Sequence, residues 1–241
     1  MPPPTSTGYQ PWMCGRRGGC PSTSKPSATA CARWATRSSS AAVFSSPFTA
    51  AACLRGTDQF ARDLRRDAGF ARAVLERCSG IVEEFAGAVA EAGGVPMLVD
   101  PVASGSVISR AMFETFALPT NTRALAKIKS LGMPPVLHIC GRTEAIIDLM
   151  ADTGAALLSV DVIDLATART KIRDRVALMG NVRPTETLLE GTPDAVRAEA
   201  RRCLAVCADS PRGFVLASGC EVPLDAPPAN VAALIEVARE A

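Results

Sequence analysis

The chain has 241 residues, of which 48% are hydrophobic, and a formal net charge of +2. This length is enough for one αβ domain of substantial size or for two small domains. No apolar run approaches the roughly 18 residues that a membrane-spanning helix needs. Residues 58–241 hold 20 basic and 24 acidic side chains, without a basic stripe interleaved with aromatics. This pattern disfavours nucleic-acid binding.

The nine cysteines are scattered along the chain without the spacing of a disulfide framework. Nine thiols in such an arrangement fit a reducing compartment, so we predict a cytoplasmic protein.

Residues 1–43 differ in composition from everything after them. They contain both tryptophans and the only tyrosine, and they have no acidic residue and no sustained apolar period. An acid-free segment rich in arginine and serine is typical of a transit peptide. It is equally typical of a disordered tail. Translation out of frame, or a misplaced start, would also produce it. We favour this last interpretation and predict an irregular, disordered or non-native segment over residues 1–43.

From about residue 56 the pattern becomes regular, and strands alternate with helices. Five strands at intervals of roughly thirty residues predict a parallel αβ sheet. The predicted strands are 95–99, 135–140, 156–160, 175–179 and 213–217. The predicted helices are 58–65, 70–92, 109–131 with a break at Pro119, 143–152, 163–172, 193–206 and 228–240.

Two of these strands end in residues that can ligate a metal. His138, the only histidine, and Cys140 lie two residues apart, so they project from the same face of an extended strand. Cys220 follows the last strand. One imidazole and two thiolates form a zinc site with an open coordination position, which indicates catalysis. Taken singly, such a histidine is more often a structural residue and such a cysteine a small hydrophobe.

Other polar residues also follow predicted strands. Asp100, Asp161 and Asn181 come after the strands at 95–99, 156–160 and 175–179. A TIM barrel places its chemistry at these carboxyl ends. The Gly-Asn pair at Asn181 is also a common turn, so both interpretations of that residue stay open.

Five segments carry a family resemblance. Over about residues 44–241 the chain resembles the uroporphyrinogen decarboxylase superfamily, and within it the zinc-dependent branch that includes the methylcobamide:coenzyme M methyltransferases. The His-x-Cys-Gly and Ser-Gly-Cys-Glu-x-Pro motifs are fairly specific for that branch. The segments are 47–51, 100–105, 137–141, 179–184 and 217–223.

The resemblance implies a (β/α)8 barrel with zinc bound by His138, Cys140 and Cys220. It implies that Asp161 acts as an exchangeable fourth ligand and that Asp100 and Ser104 lie in the loop that shapes the substrate pocket. We also predict that Asn181 binds the substrate. The implied reaction moves a methyl group from a methylated corrinoid, carried by a protein, to a small thiol bound at zinc.

The chain also departs from the family pattern. The first three strand–helix units have no predicted counterpart, so residues 44–241 are expected to form about the last five units of a barrel. Such a sheet has two exposed edges, which favour a homo-oligomer. Two alternatives stay open. One is decarboxylation of a porphyrinogen, with Arg142 and Arg183 as substrate-binding cations; the other is an inactive fragment or a subunit that needs a partner.

Overall fold

The computed structural model describes residues 41–173 and 175–240. Its centre is a six-stranded parallel sheet in which each strand pairs with the next one in the chain, from β1 to β6. Sequential parallel order is the arrangement of a (β/α) barrel. The strands are β1 (Ala41–Ser45), β2 (Val95–Val99), β3 (Val136–Arg142), β4 (Leu157–Val162), β5 (Ala177–Val182) and β6 (Phe214–Ser218).

Helices connect successive strands. They are α1 (Pro47–Arg55), α2 (Thr57–Arg66), α3 (Ala68–Glu91), α4 (Leu118–Ser130), α5 (Ile147–Asp152), α6 (Leu165–Ile172), α7 (Pro193–Cys207) and α8 (Pro228–Glu240). Local sequence fixes several of their starts: the side chains of Asp67, Asp164 and Thr192 accept hydrogen bonds from the first turns of α3, α6 and α7. These are the residue types preferred as helix N-caps.

The register of the sheet separates a core face from an opposite face. On the core face, Phe44, Leu98, Leu137, Leu158, Leu178 and Phe214 align across all six strands. The four leucines of this row are buried against the helices. His138 lies on the other face, in register with Val99 and Ser159. On that face the edge strands expose Val43 and Val215, at 60% and 45%.

The structure adds one strand to the five predicted. Strand β1 was missed because it begins with two alanines and directly follows a run of serines, so it shows no clear apolar period. Strand β1 begins three residues before residue 44, the predicted start of the domain. The rest of the predicted N-terminal segment, residues 1–40, lies outside the described residues. Within those residues β1 and β6 pair with one neighbour each, as expected for the edges of an open sheet.

The helical stretch after β2 is continuous where a break at Pro119 was predicted. An α-helical turn (Arg110–Met112) leads into a π-helical turn (Phe113–Ala117), and α4 begins at Leu118. Pro119 therefore stands in the first turn of α4, directly after the π-helical turn. A second π-helical turn, Pro184–Leu189, was not predicted.

Across the described residues, no helix has both the length and the apolar content that crossing a bilayer requires.

A buried carboxylate joins β2 to α1 and α4. Asp100 is fully buried, and it accepts hydrogen bonds from Thr49 N at 3.0 Å, Thr49 Oγ1 at 2.6 Å and Asn121 Nδ2 at 2.8 Å. Ser46, the N-cap of α1, makes no side-chain capping bond, so Asp100 satisfies that helix terminus from another element. Burial raises the pKa of the Asp100 carboxyl, and the bonds from Thr49 and Asn121 act in the opposite direction.

This network gives a prediction for stability. We expect Thr49→Val to lower the free energy of unfolding by about 1–3 kcal/mol, because it leaves a buried carboxylate oxygen without its hydroxyl donor. Urea denaturation followed by circular dichroism measures the change. Thr122→Val is the matched control, since the hydroxyl of Thr122 is exposed and bonds only to Leu118 O. Equal effects from the two substitutions would contradict the assigned role of Asp100.

Candidate metal centre

His138 is held in β3 with one ring nitrogen in use. Its Nδ1 lies 3.0 Å from the hydroxyl oxygen of Ser159, its register partner on β4. A histidine that donates from Nδ1 carries its lone pair on Nε2, and this nitrogen lies 3.7 Å from the Cys220 sulfur. The side chain is 8% exposed, and burial lowers its pKa. The imidazole is therefore neutral at pH 7, which ligation requires.

The two cysteines complete a trio of ligand atoms. One atom each from His138, Cys140 and Cys220 lies within 4.8 Å of the others, and both sulfurs are half-buried. Zinc–sulfur and zinc–nitrogen bonds at tetrahedral angles separate such ligands by about 3.6 Å. The spacing of 3.7 Å between the Cys220 sulfur and the His138 nitrogen matches this separation. The three residues therefore fit a zinc ion, and their role as zinc ligands stays a prediction.

The segment that carries Cys220 is held by local hydrogen bonds. Ser218 donates its hydroxyl to the carbonyl of Cys220 at 2.7 Å, and Gly219 N donates to Val182 O at the end of β5 at 2.8 Å. These bonds turn the chain after β6 toward β3 and fix the position of the third ligand.

Asp161 lies between the two cysteine segments. Its Oδ2 accepts a hydrogen bond from Gly141 N at 2.8 Å. Its Oδ1 is 2.8 Å from the point where a Cβ on Gly219 would stand. The carboxylate thus contacts the neighbours of both Cys140 and Cys220, but it stands outside the trio of ligand atoms. Its role as a fourth ligand stays a prediction.

The side chain of Asn181 bonds to the backbone that carries Asp161. Its side-chain nitrogen donates to the carbonyl of Asp161 at 2.8 Å and to that of Ile163 at 2.7 Å. Both amide hydrogens are therefore used to hold the connection between β4 and α6. The substrate-binding role predicted for Asn181 stays a prediction.

The remaining predicted pocket residues lie around the loop after β2. Asp100 is enclosed by Thr49 and Asn121, as described above, and its backbone N donates to His138 O at 2.9 Å. Ser104 is buried, and its hydroxyl, with that of Ser106, leaves no room for a side chain at Gly141. The positive φ of 72° at Gly141 also favours glycine. Substrate contacts by Asp100 and Ser104 stay predictions.

Sequence reasoning missed two residues of the site. Ser159, which orients His138, is a small polar residue in an apolar strand, two positions before Asp161. Ser106 accepts a hydrogen bond from Arg142 N at 3.0 Å and so joins the loop after β2 to the end of β3. The alternation of Ser159 with Asp161 was a usable signal, whereas the contact of Ser106 depends on a loop path that the sequence does not specify.

Fold and site together define an αβ protein whose described residues form six sequential parallel strands of a (β/α)-barrel type, with a candidate metal centre at the carboxyl ends of those strands. The family model for uroporphyrinogen decarboxylase (URO-D) matches residues 29–241, so the chain belongs to this family.

Its relatives include enzymes with two different names. The chain is 31% identical over 195 residues to methylcobamide:CoM methyltransferase MtbA of Methanosarcina mazei, covering 80% of this chain and 56% of that protein. It is 37% identical over 159 residues to methylcobamide:CoM methyltransferase MtaA of Methanosarcina barkeri, with coverages of 65% and 44%. It is 30% identical over 179 residues to uroporphyrinogen decarboxylase of Chlorobium luteolum, with coverages of 73% and 50%.

A solved structure has the same fold. A methyltransferase from Methanosarcina mazei aligns with a TM-score of 0.75 at 30% identity, covering 82% of this chain and 58% of that one. The chain spans about half the length of the curated relatives that it matches.

The geometry of the centre predicts a pH dependence for metal binding. Burial, with Cys220 and Asp161 nearby, raises the pKa of the Cys140 thiol to about 11, so this thiol is protonated throughout the neutral range. Ligation removes that proton. We expect zinc affinity to rise by at least about tenfold per pH unit between about pH 6.5 and pH 8. Competition with a chromophoric chelator of known proton affinity measures it; an affinity independent of pH would contradict ligation by Cys140.

Proposed function

We propose that this protein transfers a methyl group from a methylated corrinoid to a small thiol held at a zinc ion. The convergence of His138, Cys140 and Cys220 within 4.8 Å is the observation that carries the proposal. The methyltransferase names of the relatives support it. So does the structural neighbour, which is itself a methyltransferase.

The ligand set favours a thiol over water as the bound group. When bound here, zinc would lower the pKa of a substrate thiol so that its sulfur is a thiolate at neutral pH. Cys140 and Cys220 would each add a negative charge as ligands, which keeps a bound sulfur electron-rich, whereas three histidines would favour water activation. Ser159 holds the imidazole of His138 in one orientation.

The atoms and electrons of the proposed methyl transfer balance as follows. The substrate thiol gives its proton to solvent, and its sulfur forms a bond with the methyl carbon. The bond between that carbon and the donor's cobalt breaks, and its electron pair stays on the cobalt. The protein's contribution is to fix the sulfur in line with the methyl group.

The donor and the cellular location belong to the same proposal. We propose that a corrinoid protein presents the methyl group at the carboxyl ends of the strands, where the ligand trio lies. The six cysteines among the described residues are free thiols, and both ligand cysteines must stay reduced to bind metal. The cytoplasm, which keeps thiols reduced, fits this requirement.

The main test is a methyl-transfer assay. Purified protein loaded with zinc is mixed with methylcobalamin and a small thiol, and loss of the methyl donor is followed by absorbance. We expect Cys220→Ser to lower the rate by at least about a hundredfold, because the zinc loses one of three ligands. Cys53→Ser is the control, since Cys53 is exposed on α1 and is not one of the three candidate ligands. A Cys220→Ser rate equal to that of Cys53→Ser would refute the proposal.

Porphyrinogen decarboxylation is the second candidate, because decarboxylases are among the relatives. It would need cations for an acidic substrate, and Arg183 at the end of β5 already bonds to the buried Glu199 at 3.0 Å. Fluorescent porphyrin products from a porphyrinogen, formed equally well by Cys220→Ser, would favour decarboxylation over methyl transfer.

Two substitutions at Asp161 can distinguish its role as a hydrogen-bond acceptor for Gly141 from a role as a metal ligand. We expect Asp161→Asn to weaken zinc binding by less than about tenfold, because it removes the negative charge that attracts the ion while its amide oxygen still accepts from Gly141 N. Asp161→Ala removes the acceptor and should weaken zinc binding by about 10–100-fold. Chelator competition measures both. Equal losses in the two variants would instead show that the carboxylate itself ligates the metal.

A further inference from the structure

A second cleft lies at the same end of the sheet as the ligand trio, between α2 and the loop after β2. Its volume is about 460 Å³, within the range of small-molecule sites. It contains none of the candidate metal ligands. Its principal lining residues are Asp58, Arg62, Arg65, Arg66, Val107 and Ser109.

Three arginines of this cleft stand on one face of α2. Arg62, Arg65 and Arg66 follow the i, i+3, i+4 spacing, while Phe60 and Leu64 anchor the opposite side of the helix in the core. The rigid helix therefore holds the three guanidinium groups beside the same opening.

These three side chains are not used elsewhere in the described part of the chain, where no ion pair or hydrogen bond engages them. Arginines nearby are engaged. Arg55 pairs with Asp63 at 2.7 Å, and Arg110 pairs with Asp148 at 2.6 Å. Three unengaged arginines beside one opening have the composition of an anion site.

The other residues that line the cleft indicate which class of anion it would bind. Asp58 offsets one of the three positive charges, which leaves a local charge of +2. Residues 58–241 as a whole have more acidic than basic side chains. Ser109 Oγ accepts from Met112 N, so its hydroxyl hydrogen is available to a ligand. Val107, 55% exposed, and Met112 add an apolar wall. Guanidinium groups bind phosphate through paired hydrogen bonds.

We propose that this cleft binds a phosphorylated small molecule carrying at least two negative charges. The loop that forms its wall also reaches the metal centre. Ser106 in that loop accepts from Arg142 N, two residues beyond Cys140. The ligand would thus bind beside the mouth of the barrel but apart from the site of methyl transfer.

Isothermal titration of the full chain with pyrophosphate, at constant ionic strength, tests the proposal. We expect saturable binding of one pyrophosphate per chain, and binding at least about tenfold weaker in Arg62→Gln/Arg65→Gln. Arg201→Gln/Arg239→Gln removes the same charge from exposed positions on α7 and α8 and should leave the affinity unchanged. Circular dichroism confirms that each variant is folded.

The outcomes separate this site from the metal centre. Both double variants keep His138, Cys140 and Cys220, so pyrophosphate bound to a metal there would survive in Arg62→Gln/Arg65→Gln and would overturn the proposal. Equal weakening in the two variants, or no saturable binding by the wild-type chain, would also overturn it. Methyl transfer is not part of the readout, so failure here leaves the proposed function standing.

Discussion

The candidate metal centre depends on parallel strand pairing in sequential order. This pairing puts the carboxyl ends of β3 to β6 at one end of the sheet, so residues 82 positions apart in sequence can meet. His138 and Cys220 come from strands separated by two others, yet their ligand atoms are 3.7 Å apart. Hydrogen bonds from the turn after β6 to β5 and from Gly141 to Asp161 close the remaining gap.

Close approach at this end of the sheet explains several glycines. A Cβ on Gly180 would stand 2.5 Å from Val160 O, and one on Gly219 would stand 2.8 Å from Asp161 Oδ1. Both distances are too short for a side chain, so β4 is flanked by backbone that only glycine permits. The motifs Gly-Asn and Ser-Gly-Cys are therefore packing requirements as well as family markers.

Much of this could be predicted from the sequence, for identifiable reasons. Strands β2 to β6 are apolar runs between helices with clear caps, and His138 with Cys140 shares one face by simple alternation. Strand β1 was not predicted, because its small and apolar residues next to serines show no alternation of polar and apolar side chains. The hydrogen bonds of Asp100 with Thr49 and Asn121 could not be predicted either, because they join three elements that are distant in sequence. Contacts of that kind follow from tertiary packing alone.

Electrostatics at the centre favour a bound cation. Burial keeps His138 neutral by lowering its pKa, and burial raises that of Cys140, so neither ligand carries charge in the absence of a metal at pH 7. The Asp161 carboxylate opposes a thiolate at Cys140 and favours positive charge at His138. A divalent ion reverses the balance, since it stabilises both thiolates and is itself attracted by the carboxylate. A structural cluster of two thiols and an imidazole would gain nothing from a half-buried carboxylate beside it. A metal site does, and this asymmetry makes Asp161 informative about function even where it ligates nothing.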